Sequence, residues 1–391
     1  MFDSLLFIEI LKKLKILNNL LATWMFTKKN NQLVKNYFMG LAKKQAEYIL
    51  GNTGSNPAVG CVLVKNNCII SAAYTGYYGR PHAEYTAIKI LKGRTKDSYL
   101  YVTLEPCSHY GKTPPCVKLI SKAGINKVLF SVIDKDLRSK NRSLSYFKNK
   151  KIKVEKGISS KDINSFYTSY YKFKEGKLPF VTCKLAVSKD LFSKNIKKKW
   201  ITNTFSRGRA HLLRSSHDCL VTSYKTINHD NPLLNCRING LKNRSPKLII
   251  LDKNLSISLK SRLFSEISNK NIIIFYTRIN KKKIKKLKKM KIKILQLNLD
   301  SDNKFNLKEI LKIVGNHGYQ RVLVESGKNL IFEFMKHNLV DDFKLFISKE
   351  KIGENGKNNI KKDIYFHLRK KKYIVEKINL FGDKLLTYRM K

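Results

Sequence analysis

Short apolar runs alternate with segments of helical spacing along most of this chain, and that alternation restricts the folds open to it. Residues 59–64 (Val-Gly-Cys-Val-Leu-Val) form an almost continuous apolar run, which is typical of a strand buried on both faces. Similar runs occupy residues 99–104 and 128–133, whereas residues 34–50 and 82–91 carry apolar side chains at helical spacing. The pattern predicts a layered α/β sheet.

A second alternating region follows, and at 391 residues the chain is long enough for two domains. The strands predicted there are 180–187, 218–223, 247–252, 272–277, 292–297, 321–325 and 342–348. The predicted helices are 203–214, 306–314 and 328–337. We expect four segments, which are an N-terminal extension (1–33), a first α/β domain (34–155), a linker (156–177) and a second α/β domain (178–391).

The formal net charge of +51 is the most unusual property of the composition. One interpretation is a protein that binds nucleic acid or a membrane surface. The other is a general bias toward lysine, because runs such as Lys281–Lys283 and Lys370–Lys372 are not interleaved with a stripe of aromatic residues. We favour the second interpretation and expect no nucleic-acid partner. A positive field would nonetheless attract a phosphorylated substrate.

Two further features bear on localisation. The apolar stretch 4–26 is interrupted by Glu9, Lys12, Lys13 and Lys15, whereas a membrane span needs about 20 nearly uncharged residues. No signal-peptide cleavage pattern follows this stretch. The seven cysteines are odd in number and scattered, which argues against a disulfide framework. These features favour a cytoplasmic protein without a membrane partner.

Four residues have the types and spacing of a zinc-dependent deaminase site. His82 opens a predicted helix, Cys107 follows a predicted strand, and Cys116, nine positions later, opens another helix. One imidazole and two thiolates fill three positions of a tetrahedral zinc ion and leave the fourth for water, which the metal acidifies. Glu84, two residues after His82, is placed to move protons from that water to the substrate ring and the departing ammonia.

A purely structural zinc site is the alternative, with His109 as a fourth ligand. Structural zinc sites normally have four protein ligands. We favour the catalytic interpretation, because Glu84 and Pro106 both stand where the H-x-E…P-C signature of zinc nucleobase deaminases puts them.

The motifs around these residues resemble those of a known enzyme family. Three segments are similar to the deaminase domain of the bifunctional riboflavin-biosynthesis deaminase/reductases, namely Thr53-Gly-Ser-Asn-Pro-Ala-Val-Gly60, Pro81-His-Ala-Glu84 and Glu105-Pro-Cys-Ser-His-Tyr-Gly-Lys-Thr-Pro-Pro-Cys116. The eight-residue insert between the two cysteines is the specific mark, since cytidine and tRNA-adenosine deaminases usually have two residues there. The resemblance implies a cytidine-deaminase-like three-layer α/β/α domain. It also implies substrate contacts from Asn56, His109, Lys112 and Thr113.

The second region resembles the reductase domain of the same family. The matching segments, in order, are 178–188, 199–202, 211–214, 226–237, 323–327 and 339–342. The resemblance implies an α/β fold similar to dihydrofolate reductase, with NADPH as the cofactor. The implied cofactor contacts are Ala186, Trp200, Thr226, Asp230 and Gly327. The implied substrate contacts are Lys184, Lys198, Arg214, Leu234, Arg237 and Glu325. Arg214 and Arg237 suit a ribose phosphate, because guanidinium groups pair bidentately with phosphate oxygens. Ser223 and Ser326 stand where the family has small residues or glycine.

The expected protein is therefore a cytoplasmic, bifunctional enzyme of riboflavin synthesis. Its first domain would use Zn2+ to deaminate 2,5-diamino-6-ribosylamino-4(3H)-pyrimidinone 5′-phosphate. Its second would use NADPH to reduce the ribosyl group of 5-amino-6-(5-phosphoribosylamino)uracil to ribityl. The family implies a homodimer formed through the reductase domain. Two alternatives stay open, which are a zinc deaminase of another nucleoside or tRNA base with an inactive reductase-like domain, and a basic RNA-binding protein with a vestigial site.

Overall fold

The computed structural model describes residues 28–269 and 272–391, and these divide into two units. The first unit contains the described residues up to Tyr48 together with 58–76 and 80–166. The second unit contains 49–57, 77–79 and 167–391. Most of the expected extension 1–33 lies outside the described residues, and its remainder belongs to the first helix, which begins at Lys28.

The first unit is a five-stranded sheet with helices. Its helices are α1 (Lys28–Ile49), α2 (Ala83–Ile90), α3 (Cys116–Lys122), α4 (Arg142–Asn149) and α5 (Ser160–Phe166). Its strands are β1 (Gly60–Lys65), β2 (Cys68–Tyr74), β3 (Tyr99–Leu104), β4 (Lys127–Val132) and β5 (Lys153–Lys156). The strand order is β2-β1-β3-β4-β5, with β1 antiparallel to both neighbours and β3, β4 and β5 parallel.

Burial on both faces explains the apolar runs of this sheet. Consecutive residues of β1 and of β4 are buried, so side chains that point to opposite faces all leave water. Helix α1 also packs very close to β1 at a glycine. A Cβ atom on Gly60 would lie 2.0 Å from the carbonyl oxygen of Ala42. No larger residue fits this crossing without moving the helix.

The second unit is built on a larger, mostly parallel sheet. Its helices are α6 (Thr168–Gly176), α7 (Thr204–Ser215), α8 (Tyr224–Asp230), α9 (Lys281–Lys289), α10 (Leu307–Asn316), α11 (Lys328–Lys336) and α12 (Lys361–Leu368). Its strands are β6 (Phe180–Val187), β7 (Phe192–Asn195), β8 (Cys219–Ser223), β9 (Lys247–Leu251), β10 (Ile272–Tyr276), β11 (Lys293–Gln296), β12 (Arg321–Glu325), β13 (Asp342–Ile347), β14 (Gly356–Asn359), β15 (Tyr373–Val375) and β16 (Lys384–Arg389).

Nine strands form the main sheet in the order β11-β10-β9-β8-β12-β6-β13-β16-β15. The strands from β11 to β13 run parallel, and β16 and β15 pair antiparallel at one edge. Two apolar cores flank the sheet, because Ile249 and Leu251 join one cluster while Leu248 and Ile250 join the other. Strands β7 and β14 pair separately. The carboxyl ends of β6, β8 and β12 therefore meet at one edge of the parallel sheet, where α/β proteins commonly bind ligands.

The elements predicted from apolar pattern are present, but several short or charged ones were not predicted. Helix α9 (Lys281–Lys289) lies in what looked like a charge run, and strand β16 (Lys384–Arg389) had no predicted counterpart. The segment expected to be a linker, 156–177, contains the whole of helices α5 and α6. Within the described ranges, no helix has the length and apolar character needed to cross a membrane.

Candidate active sites of the two units

Three potential metal ligands come together in the first unit. The Nδ1 atom of His82 lies 3.3 Å from Sγ of Cys116 and 3.5 Å from Sγ of Cys107. The ligand atoms of these residues all lie within 4.8 Å of one another. An imidazole and two thiolates are a donor set that zinc favours, and three protein ligands are the number found in catalytic zinc sites. The residues therefore fit a zinc ion.

The local fold brings these ligands together from three segments. His82 is the N-cap of α2, and Cys116 is the first residue of α3. The backbone N–H of Cys116 donates to Sγ of Cys107 over 3.3 Å. The segment that carries Cys107 is held by Glu105, whose buried carboxylate accepts from the backbone N–H of Asn141 at 3.0 Å and from the Ser143 hydroxyl at 2.7 Å.

Charge in the site follows from these contacts. The hydrogen bond from the Cys116 thiol lowers the pKa of Cys107 to about 4, so Cys107 is a thiolate at neutral pH, which is the form that binds zinc. The same contact raises the pKa of Cys116. Glu84 lies in the first turn of α2 with 3% of its surface exposed, and burial raises the pKa of its carboxyl group. A carboxyl group with a raised pKa is suited to taking up and releasing a proton near neutral pH.

The insert between the two cysteines carries three predicted substrate contacts. His109 is not a member of the group of metal ligands found among the described residues, and its Nδ1 lies 2.9 Å from the Ser139 hydroxyl. Lys112 and Thr113 are exposed. The Thr113 hydroxyl accepts a hydrogen bond of 2.5 Å from the guanidinium of Arg80. We did not predict a role for Arg80 from the sequence, in which only its position two residues before His82 could have drawn attention.

Asn56 belongs by its contacts to the second unit rather than to the first. Its side-chain amide donates to the carbonyl oxygen of Gly79 at 3.5 Å, and a Cβ atom on Gly79 would collide with it. The predicted contact between Asn56 and the pyrimidine stays a prediction.

A buried ion cluster lies at the carboxyl end of β12 in the second unit. Arg214 donates to Glu325 through two hydrogen bonds of 2.8 Å each, from Nε and Nη2. The Nζ of Lys184 lies 3.5 Å from the same carboxylate. Burial alone would raise the pKa of Glu325, but the two cations lower it overall, so Glu325 stays ionised. Because Nε and Nη2 of Arg214 both donate to Glu325, this pair of N–H groups does not face a phosphate.

Three hydroxyl groups meet beside this cluster, where β8 and β12 end. The Ser326 hydroxyl lies 2.9 Å from that of Thr226 and 3.2 Å from that of Ser223, and the latter two are also 3.2 Å apart. Gly327 follows as the N-cap of α11, with open space where a Cβ would be. The two serines that replace small residues of the family thus bond to each other and to a predicted cofactor residue, which the sequence alone did not indicate.

The other predicted reductase residues lie on several elements. Leu234 is buried with a positive φ of 51°, and the exposed Arg237 donates to the side chain of Asn235 at 3.0 Å. Trp200 is 56% exposed, with the guanidinium of Arg207 4.9 Å from its ring centroid. The remaining residues are Ala186 within β6, the exposed Lys198, and the exposed Asp230 at the end of α8.

Comparisons with known proteins agree with both units. Residues 33–132 match the family described as the cytidine and deoxycytidylate deaminase zinc-binding region, and residues 179–375 match the RibD C-terminal domain. The riboflavin biosynthesis protein RibD of Aquifex aeolicus is 31% identical over 83% of this chain and 89% of that protein. Its counterpart in Bacillus amyloliquefaciens is 31% identical over 82% of this chain and 86% of the relative.

A crystal structure from Thermotoga maritima, described as a diaminohydroxyphosphoribosylaminopyrimidine deaminase/5-amino-6-(5-phosphoribosylamino)uracil reductase, is also similar. It shares 28% identity with a TM-score of 0.76, covering 92% of this chain and 99% of its own. The fold and site thus define a zinc-type deaminase unit joined to a reductase unit. The chain belongs to the RibD family of riboflavin biosynthesis proteins.

Family membership confirms the main sequence predictions. The fold class is confirmed, with a cytidine-deaminase-like unit followed by a reductase unit. The chain is a deaminase and a reductase of riboflavin biosynthesis, with Zn2+ and NADPH as its cofactors. The roles of individual residues and the domain limits stay predictions.

Proposed function

We propose that the first unit deaminates 2,5-diamino-6-ribosylamino-4(3H)-pyrimidinone 5′-phosphate and that the second reduces 5-amino-6-(5-phosphoribosylamino)uracil with NADPH. The observation that carries the proposal is the meeting of His82, Cys107 and Cys116 at a buried Glu84. The name of the Thermotoga maritima protein, which combines the same two activities, supports the choice of substrates.

Proton movement in the deaminase would depend on Glu84. When bound to His82, Cys107 and Cys116, zinc would supply an acidified water as the nucleophile. The Glu84 carboxylate takes one proton from the attacking water and gives it to the ring nitrogen of the pyrimidine. It then takes the second proton of that water and gives it to the amino group, which leaves as ammonia while the ring carbon becomes a carbonyl. Its burial and its contact with Cys116 keep the carboxyl group next to the metal ligands. His109, Lys112 and Thr113 of the insert contact the substrate.

In the reductase, NADPH would supply the hydride that reduces C1′ of the opened ribosylamine. The protein must hold the sugar against the cofactor. Lys184 of β6 lies beside Glu325, the last residue of β12, and these two side chains can bind sugar oxygens. Arg214 donates two hydrogen bonds to the Glu325 carboxylate and a third, from Nη1, to the carbonyl oxygen of Asn235, so the exposed Arg237 is the better candidate for the ribose phosphate.

The cofactor contacts that we propose are Ala186, Trp200, Thr226, Asp230 and Gly327, and the further substrate contacts are Lys198 and Leu234. Gly327 and the hydroxyls of Thr226 and Ser326 lie at the start of α11, where backbone N–H groups favour an anion such as a pyrophosphate.

The test is to supply the two substrates separately to the purified protein. Ammonia should be released from the diaminopyrimidinone phosphate without NADPH. NADPH should be oxidised when the deaminated compound is supplied. A Glu84→Gln variant should lose about 10²- to 10⁴-fold in ammonia release and keep NADPH oxidation. Ammonia release from adenosine, cytidine or tRNA instead, without any NADPH oxidation, would favour a different deaminase with an inactive reductase unit.

We also propose that the protein is a cytoplasmic homodimer joined through its reductase units. An exposed apolar patch on α7 supports this. Phe205 is 51% exposed and stacks on Phe381, which is 55% exposed, with ring centroids 4.0 Å apart. Leu212 on the same helix is 38% exposed. Exposed clusters of this kind often mark protein interfaces. Sedimentation equilibrium of the wild type and of Phe205→Asp tests the assignment, since a dimer that dissociates in the variant is expected.

A further inference from the structure

The guanidinium of Arg80 lies at the edge of the deaminase metal site. Its Nη1 is 2.8 Å from Nε2 of His82 and 2.5 Å from the Thr113 hydroxyl. Its Nη2 faces the insert at Gly111, where a Cβ atom would lie 3.5 Å away. Arg80 therefore connects a metal-ligand ring with the insert that distinguishes this family.

No acidic side chain pairs with Arg80 among the described residues. Its Nε is buried and has no hydrogen-bond partner in the part of the chain that the structure describes. A half-buried cation with an unsatisfied N–H is costly unless something supplies an acceptor. Arg80 is therefore a cation without a counter-charge beside the insert, and an anion that reaches its Nη groups would supply that charge.

The contact with His82 strengthens this conclusion. Nδ1 of His82 faces both cysteine sulfurs, so Nδ1 is the atom that is placed to bind the metal. A neutral imidazole that binds a metal through Nδ1 carries its proton on Nε2. Nε2 is then a donor and cannot accept from Arg80. The guanidinium therefore keeps only Thr113 as an acceptor when the zinc ligand is in place, and at least two of its N–H groups need another partner.

We propose that Arg80 binds the phosphate of the deaminase substrate, next to Thr113, and selects phosphorylated over unphosphorylated pyrimidine ribosides. This rests on the proposed function, because it assumes that the substrate carries a phosphate. A guanidinium offers paired N–H groups that match two phosphate oxygens. The exposed side chains of Lys112 and Thr113 on the insert add a second cation and a hydroxyl group.

The experiment compares wild type, Arg80→Ala, Arg80→Gln and the control Arg94→Ala. Arg94 is an exposed arginine of the same unit whose Nε donates only to the backbone of Leu91 at 3.3 Å. Deamination is measured with the diaminopyrimidinone riboside, with and without its 5′-phosphate, and zinc content is measured for each variant. Binding of ribose 5-phosphate is followed by calorimetry on the full-length, zinc-loaded proteins.

Both Arg80 variants should lose about 10- to 150-fold in kcat/KM for the phosphorylated substrate, as expected for a lost charge-assisted hydrogen bond. They should change less than about threefold with the unphosphorylated one. Wild type and Arg94→Ala should bind one more equivalent of ribose 5-phosphate than the Arg80 variants do. An equal loss on both substrates, or loss of zinc, would assign Arg80 to holding His82 and overturn the proposal. If wild type deaminates neither compound, the proposed function fails, while the ribose 5-phosphate titration still decides the role of Arg80.

Discussion

Replacing Glu325 should destabilise the reductase unit more than replacing its partner Arg214. Glu325 faces two cations, with two hydrogen bonds of 2.8 Å from Arg214 and Nζ of Lys184 at 3.5 Å. The three side chains are only 11–17% exposed. Glu325→Gln leaves two buried cations without a counter-charge, which costs about 3–5 kcal/mol. Arg214→Met leaves Glu325 paired with Lys184, so we expect about 1.5–3 kcal/mol for the lost charged hydrogen bonds.

Urea unfolding measures both free energies, and the transition of the reductase unit is the one that NADPH shifts to higher urea concentration. The pKa of Glu325 is lowered from its ordinary value of 4.5 in the folded protein. The stabilisation that ionised Glu325 provides is therefore present above that pH and is lost as the pH falls below it. The difference in the free energy of unfolding between wild type and Glu325→Gln should decrease at low pH. An Arg214→Met variant as unstable as Glu325→Gln, or less stable, would refute the charge argument.

Three further outcomes are expected. Cys107→Ser should lower zinc content and abolish ammonia release while NADPH oxidation continues; loss of both activities would contradict separate sites. Gly60→Ala should destabilise the first unit, because its Cβ would lie 2.0 Å from a backbone carbonyl oxygen of α1. The control Gly40→Ala has open space around it inside that helix and should be neutral or stabilising by up to about 1 kcal/mol. Equal losses of stability in thermal denaturation would contradict this packing. Burial, with the nearby charges of Arg214 and Arg237, lowers the pKa of His211 to about 4, so between pH 6.5 and 4 only the unfolded chain takes up the proton. The free energy of unfolding should therefore decrease as the pH is lowered through this range, and in urea unfolding His211→Gln should show a smaller decrease than the wild type. The same pH dependence in both proteins would count against the assignment.

The sequence predicted the elements whose residues are buried on two faces. Strands at Tyr99–Leu104 and Phe180–Val187 follow their apolar runs to the residue. Helix α9 (Lys281–Lys289) was not predicted because only Ile284 and Leu287 interrupt its lysines, yet those two side chains suffice to pack it on the sheet. The last two strands, β15 and β16, depend on pairing with each other and with β13, and a local pattern does not contain that information.

The zinc site was easier to recognise in the sequence than the ion cluster of the reductase unit, and the reason is chemical. Zinc requires an imidazole nitrogen and thiolate sulfurs, so His82, Cys107 and Cys116 stand out in a sequence as a set that few other roles explain. Lys184 and Glu325 are residue types common on any surface, and only the adjacency of β6 and β12 makes them a cluster. A lost zinc ligand removes the metal, whereas the loss of Arg214 still leaves Lys184 beside the Glu325 carboxylate. Substitution of a zinc ligand should therefore abolish deamination, and substitution of Arg214 should only lower the rate of the NADPH-dependent reduction.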